Sequence, residues 1–271
     1  MYEAYYGLRE KPFSILPDPD LIFWGQNHKL AYAMLEYGII NNAGFTVITG
    51  EIGAGKTTLL RHLLRKLNSH INVGMISNTP QGRDELLQWI LMSLQQPFEG
   101  TYSTLFYRFQ QYLRANYAEG RPTILIIDEA QNLQADALES LRMLSNINVD
   151  KDQFLQVILV GQPQLKGLLS LPQLTQFAQR VSAEFHLSPL SSDEVCQYID
   201  YRLQAVGARH PLFSRDACIL VAKASAGIPR SINILCDTAL VYAFGNQSNW
   251  ITREIVADVL EHKRVLGVFA H

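Results

Sequence analysis

Four short runs rich in Val, Ile and Leu recur before Ser188, at Phe45–Thr49, Ile71–Asn78, Thr123–Asp128 and Phe154–Val160, and a short fifth strand-like run follows at Ala183–Leu187. The run Thr123-Ile124-Leu125-Ile126-Ile127 has no polar alternation, the composition of a strand covered on both faces. Between the runs, apolar residues return at helical spacing, over 27–42, 58–68, 82–95, 103–119, 135–146 and 163–179. Leu138, Leu141 and Leu144, for example, share one helix face. Strands alternating with helices predict a parallel five-stranded sheet flanked by helices, an α/β core over 25–188.

The pattern changes at Ser188-Pro189, after which no strong strand is legible. Ser191 and Glu194 form a capping-box start, followed by an inward face of Val195, Ile199, Leu203 and Val206. Ser214 and Thr252 read as N-caps of later helices. Residues 189–271 are therefore expected to form a C-terminal α-helical lid. Residues 1–24 are aromatic and carry Pro12, Pro17 and Pro19, which exclude a long helix. They are expected to pack on the core.

The chemistry begins at Gly50-Glu51-Ile52-Gly53-Ala54-Gly55-Lys56-Thr57. This glycine-rich stretch lies between a strand and the helical run Thr58-Leu59-Leu60, the context of a phosphate-binding loop. Glycines let successive N–H groups face phosphate oxygens, and the helix N-terminus adds partial positive charge. Lys56 supplies a full charge to the β- and γ-phosphates, and the Thr57 hydroxyl can ligate Mg²⁺. A second signal is Asp128-Glu129 at the end of an apolar strand. Asp128 can hold Mg²⁺, and Glu129 can take a proton from an attacking water. Together they point to hydrolysis of a bound nucleotide.

Bulk composition narrows the class. The 271 residues are 48% hydrophobic and 18% charged, which fits a folded domain rather than a disordered chain. A net charge of −2 disfavours a dedicated nucleic-acid binder while leaving a local basic patch open. Cys196, Cys218 and Cys236 are widely spaced and match no zinc or disulfide framework. They read as small buried apolar residues in a reducing compartment. With no signal-like N-terminus and no run near 20 apolar residues, the expectation is a cytoplasmic protein.

The order of loop, acidic strand, further strand and helical lid resembles the AAA+ ATPases over about residues 25–262. Narrower blocks look like the general secretion pathway protein A (ExeA-type) family. These are Tyr5-Tyr6-Gly7-Leu8-Arg9-Glu10-Lys11-Pro12-Phe13-Ser14, Asp128-Glu129-Ala130-Gln131-Asn132-Leu133, Gly161-Gln162-Pro163-Gln164-Leu165 and Gln176-Phe177-Ala178-Gln179-Arg180. The wording of Ser145–Gln153 looks closer to the branch associated with exosortase (PEP-CTERM) and exopolysaccharide loci.

The resemblance implies a P-loop fold, Mg-ATP as ligand, and a nucleotide contacted by Gly50 to Thr58. ATP over GTP rests on this resemblance and on the lack of an Asn/Thr-Lys-x-Asp guanine-reading motif. By position, Gln162 matches a polar sensor of the γ-phosphate, and Arg230 a second sensor at the start of a lid helix. Arg180 matches an arginine finger acting on a neighbouring subunit, which implies a homo-oligomer, a hexamer being one form. Asn78 matches a residue that restrains Glu129, and His28 with its apolar neighbours the adenine side.

The resemblance further implies a role in assembling an envelope system, with an inner-membrane partner and a peripheral place at that membrane. Secretion members commonly continue into a membrane helix and a periplasmic peptidoglycan-binding domain, so this sequence reads as a shorter member or a portion of a longer one. Two other readings stand beside it. One is a DNA-associated AAA+ regulator of the transposition type. The other is a slow nucleotide-dependent switch or scaffold.

Overall fold

A computed structural model describes the chain except residues 17, 19, 68–69, 78–81, 150–151 and 266–271. Of 83, 84, 148, 149, 152 and 263–265 it describes the backbone alone. Contacts divide the chain into two compact units, 30–50 with 63–187, and 1–29 with 51–62 and 188–271.

The first unit holds the sheet. Its strands are β1 (Phe45–Gly50), β2 (Asn72–Ile76), β3 (Thr123–Ile127), β6 (Leu155–Gly161) and β7 (Val181–Leu187), in the order β2-β3-β6-β1-β7. A short antiparallel pair, β4 (Asn148–Val149) and β5 (Asp152–Gln153), precedes β6. All pairs in the large sheet are parallel, with Leu125 opposite Val157 and Val47 opposite Leu159. Every residue of β1, β3 and β6 is buried, as their unalternating composition requires. The edge strand β7 alternates partly exposed positions with buried Ala183 and Leu187.

Helices α3 (Arg83–Ser93), α4 (Tyr102–Ala118) and α5 (Ala135–Leu144) supply Leu86, Ile90, Phe109, Leu138 and Leu141 to the cluster around Val47, Leu125 and Leu159. In α4 the Thr101 hydroxyl accepts the Thr104 N–H, and Leu105, Phe109 and Leu113 repeat every four residues on the buried face. Each such side chain contributes about 1.5–3 kcal/mol of burial. Gln156 of β6 is 3% exposed and donates to the Asn42 side chain over 2.8 Å and to the Ile39 carbonyl over 3.2 Å.

Two details differ from the sequence expectation. The β4–β5 pair was not legible, since two-residue strands carry no periodicity. The helical stretch expected over 163–179 breaks into α6 (Gln164–Leu169), a 3-10 turn at Pro172–Leu174 and α7 (Thr175–Ala178). Pro172, whose nitrogen has no hydrogen to give, interrupts the helical ladder.

The second unit is helical: α8 (Ser192–Ala205), α9 (Arg215–Ser225), α10 (Pro229–Gly245) and α11 (Arg253–Val265). The capping box forms, with the Ser191 hydroxyl accepting Glu194 N–H and the Glu194 carboxylate accepting Ser191 N–H. Val195, Ile199, Leu203 and Val206 are all buried.

Residues 1–24 were expected on the α/β core, and the structure corrects this. Tyr2, Leu8 and Phe13 sit in the apolar cluster of Val195, Ile199, Leu235 and Val256. Polar groups explain the choice. Arg9 donates its backbone N–H to the Val206 carbonyl and its guanidinium to Ala205, closing the C-terminal end of α8. Buried Arg202 and Asn233 take the carbonyls of Pro12 and Ser14 at 2.7 and 2.9 Å. Turns at the start of the segment pair the carbonyls of Tyr2, Glu3 and Ala4 within it, whereas those of Pro12 and Ser14 are taken by these side chains.

Candidate nucleotide site

The glycine-rich loop leaves the C-terminal end of β1 at Gly50 and runs into α2 (Lys56–Lys66). Gly53 and Gly55 hold φ of +81° and +99°, which side-chain-bearing residues rarely adopt. The Ala54 N–H closes a turn on the Glu51 carbonyl, and the first turn of α2 follows at once. Its leading N–H groups have no carbonyl within the helix to bind, the standard arrangement for receiving an anion. Lys56 is 7% exposed and donates from Nζ to the Glu51 carbonyl over 2.9 Å, so its charge is held within the loop. Thr57 and Thr58 are half-buried, and Glu51 and Ile52 exposed.

Two residues distant in sequence brace this loop. Arg230, second residue of α10 after Pro229, donates its backbone N–H to the Gly53 carbonyl over 3.2 Å. A Cβ on Gly53 would lie 2.4 Å from that of Arg230, so a side chain at 53 would drive them apart. His28, on α1 (Gln26–Ile40), lies 3.1 Å by Nε2 from the Ala54 carbonyl. A carbonyl only accepts, so Nε2 carries the hydrogen. Burial pushes the imidazole pKa down, more than the Ala54 carbonyl and the Glu194 charge raise it. The ring is thus neutral, and Nδ1 is a buried acceptor with no hydrogen-bond partner among the described residues.

At the other sequence-predicted position, β3 leads directly into Asp128, 6% exposed, whose N–H donates to the Ile76 carbonyl. Its Oδ1 accepts the Glu129 N–H over 3.0 Å. Glu129 follows with φ of +53°, a left-handed conformation that costs about 1–3 kcal/mol and turns the chain sharply at the strand end. Glu129 Oε2 accepts hydrogen bonds from Nε2 of Gln131 (2.6 Å) and Nε2 of Gln162 (3.3 Å). Gln162 follows β6, the neighbour of β3, so the sheet itself joins residues 33 apart in sequence.

Among the expected residues, Arg180 bonds elsewhere. It is exposed just before β7 and donates from Nη1 to the Ser145 hydroxyl over 3.2 Å. Asn78 lies outside the described residues. Gln131 stood inside a recognised block without a role; its place two residues past Glu129 was the available signal. Cys218 and Cys236 are buried in helices and Cys196 partly so, and burial pushes the Cys218 thiol up to about 12.

A divalent cation suits the donors offered. Within their separate units, the Thr57 hydroxyl and the Asp128 carboxylate are each hard oxygens of the kind Mg²⁺ prefers. No group of three or more His, Cys, Asp or Glu side chains gathers among the described residues. No described helix is long and apolar enough to cross a membrane.

A β-strand, glycine-rich loop and helix in a parallel sheet, followed by an acidic strand end and a helical C-terminal region, define a P-loop AAA+ ATPase fold. The AAA domain family model matches residues 40–169. The fold is that of the P-loop AAA+ ATPases, and the sequence is similar to general secretion pathway protein A. It is 40% identical to General secretion pathway protein A of Aeromonas hydrophila over 253 residues. That alignment takes in 93% of this chain and 46% of the relative, so the chain spans about half that protein's length. Among solved structures, the Aeropyrum pernix ORC1 protein in complex with DNA aligns with a TM-score of 0.66 at 17% identity, over 96% of this chain and 72% of that one. The Thermotoga maritima RuvB Holliday junction branch migration motor aligns at 0.55 and 20%, over 88% and 69%. These identities speak to the fold alone.

Proposed function

We propose that the chain binds Mg-ATP and hydrolyses its terminal phosphoanhydride. The observation that carries the reading is the Glu129 carboxylate, fixed by two amides at the end of a central strand of the sheet whose β1 leads into the phosphate loop. In this proposal the loop backbone from Gly50 to Thr58 and Lys56 bind the phosphates, while Thr57 and Asp128 hold Mg²⁺. Mg²⁺ would neutralise charge on the phosphate oxygens. Glu129 takes the proton of a water that attacks the γ-phosphorus as the bond to the bridging oxygen of ADP breaks. Gln162 orients that water, and Arg230, braced on Gly53, reaches the γ-phosphate and ties α10 to nucleotide state. His28 stands at the adenine side.

Arg180 acts in trans in an oligomer, where an exposed guanidinium can swing from Ser145 to a neighbour's nucleotide. The envelope role follows from the relative: a chain 40% identical to a general secretion pathway protein is proposed to serve assembly of a secretion, exopolysaccharide or protein-sorting system. It would work at the cytoplasmic face of the inner membrane through partners. Phosphate release per subunit, measured against protein concentration with and without DNA, tests this. The expected result is a rate that rises with concentration, falls with Arg180→Ala and ignores DNA. A rate independent of concentration removes the oligomer, and strong stimulation by DNA replaces the envelope role with a DNA-associated one.

A further inference from the structure

Gln131 lies on the 3-10 turn Ala130–Asn132 and uses both ends of its amide. Nε2 donates to Glu129 Oε2 over 2.6 Å, and Oε1 accepts the backbone N–H of Gln162 over 2.9 Å. A backbone N–H can only donate, so the amide orientation is fixed by its partners. Gln162 Nε2 returns to the same Oε2 over 3.3 Å, closing a ring of hydrogen bonds across the ends of β3 and β6. Both donors therefore load one oxygen of the carboxylate. Oε1 of Glu129 makes no hydrogen bond to any described residue. Gly161 makes room for this arrangement: a Cβ there would stand 2.7 Å from Gln131 Oε1 and 3.2 Å from its backbone nitrogen.

We propose that Gln131 is a positioning residue for hydrolysis. It locks the rotamer of Glu129, presents Oε1 to the attacking water, and couples the base to the end of β6 through Gln162. This rests on the reading of Glu129 as general base. Both halves are needed. An amide bound only to Glu129 would steady the base, whereas one bound also to the Gln162 backbone ties the base to the strand end that senses the phosphate. Misplacing a reacting group by about 1 Å costs about 100-fold in rate.

The test compares wild type, Gln131→Ala, Gln131→Glu and Glu129→Gln in steady-state phosphate release and in binding of a fluorescent ATP analogue. Gln131→Ala is expected to lower kcat by about 10–100-fold, with KM within about twofold and analogue binding retained. Gln131→Glu keeps the shape and the acceptor for Gln162 but turns the donor facing Glu129 into an acceptor. It is expected to lose at least as much turnover, whereas a packing role would leave this near-isosteric variant close to wild type. Unchanged kcat in both Gln131 variants overturns the proposal, as does faster turnover in Gln131→Ala, which would make the contact a restraint. Loss of analogue binding in step with kcat overturns it too. Full turnover by Glu129→Gln would instead sink the reading of Glu129 as base. A dead Glu129→Gln beside fully active Gln131 variants would sink the positioning role alone.

Discussion

The loop at Gly50–Thr57 is built of backbone, with two left-handed glycines, a helix N-terminus and one lysine folded onto the loop's own carbonyl. The cluster at Glu129 is built of side chains, with two glutamine amides converging on one carboxylate oxygen. Backbone donors are fixed once the chain direction is fixed, so they suit an anion that must always sit in one place. Side-chain donors can be exchanged or released, so they suit a group whose position must respond to what is bound. The two regions also differ in their bracing. The loop is tied to residues of its own unit, Arg230 and His28, whereas Glu129 is tied across two neighbouring strands.

The sharpest way to break the contrast is Lys56→Ala. Removing the one cation of the backbone-built region should weaken ATP binding by about 30-fold or more, the effect of stripping one partner from a buried charge contact. Equilibrium titration with a fluorescent ATP analogue reads this, and unchanged affinity would mean the loop does not hold the phosphates. Gly53→Ala asks whether backbone shape matters apart from charge. With φ of +81° and Arg230 Cβ in the way, strain of about 1–3 kcal/mol should weaken the same titration about tenfold. An effect under about twofold would show that the loop relaxes freely.

A smaller effect belongs to the helical unit. Glu194→Ala removes the reciprocal cap of α8 and should cost about 1 kcal/mol, read by urea unfolding. Equal unfolding midpoints would leave the cap without a role in stability.

The mildest prediction concerns pH. Burial lowers the His28 pKa, so the unfolded chain binds its proton first, and stability declines as pH falls below about 6.5. For Glu194, burial raises the pKa, but the N–H groups of Ser191 and Gln26 outweigh it and leave the value depressed. Its contribution is present above the ordinary carboxylate range and is lost as pH falls through the lowered value. The melting temperature should therefore drop in two stages on acidification, and His28→Asn should flatten the first. An unaltered first stage would assign it to another group.

The same contrast explains what could be read from the chain beforehand. The phosphate loop is contiguous, and its glycines and lysine sit at fixed spacing, so eight residues declared it. The three inner strands of the sheet were legible because full burial forbids alternation, as in Thr123–Ile127. The Glu129 ring joins residues 129, 131 and 162, and nothing local to Gln162 names its partner; only the pairing of β3 with β6 does. The N-terminal segment went astray for a related reason. Its aromatic residues demanded burial but did not specify a surface, and the deciding groups were carbonyls of Pro12 and Ser14 awaiting Arg202 and Asn233.

The central claim is that Glu129 does chemistry on a nucleotide held by other residues. Glu129→Gln, assayed in one sample for ATP-analogue binding and for phosphate release, tests it most directly. The expected result is affinity within about twofold of wild type and turnover lowered by about 100-fold or more. Turnover at the wild-type rate, or affinity lost together with turnover, would contradict it.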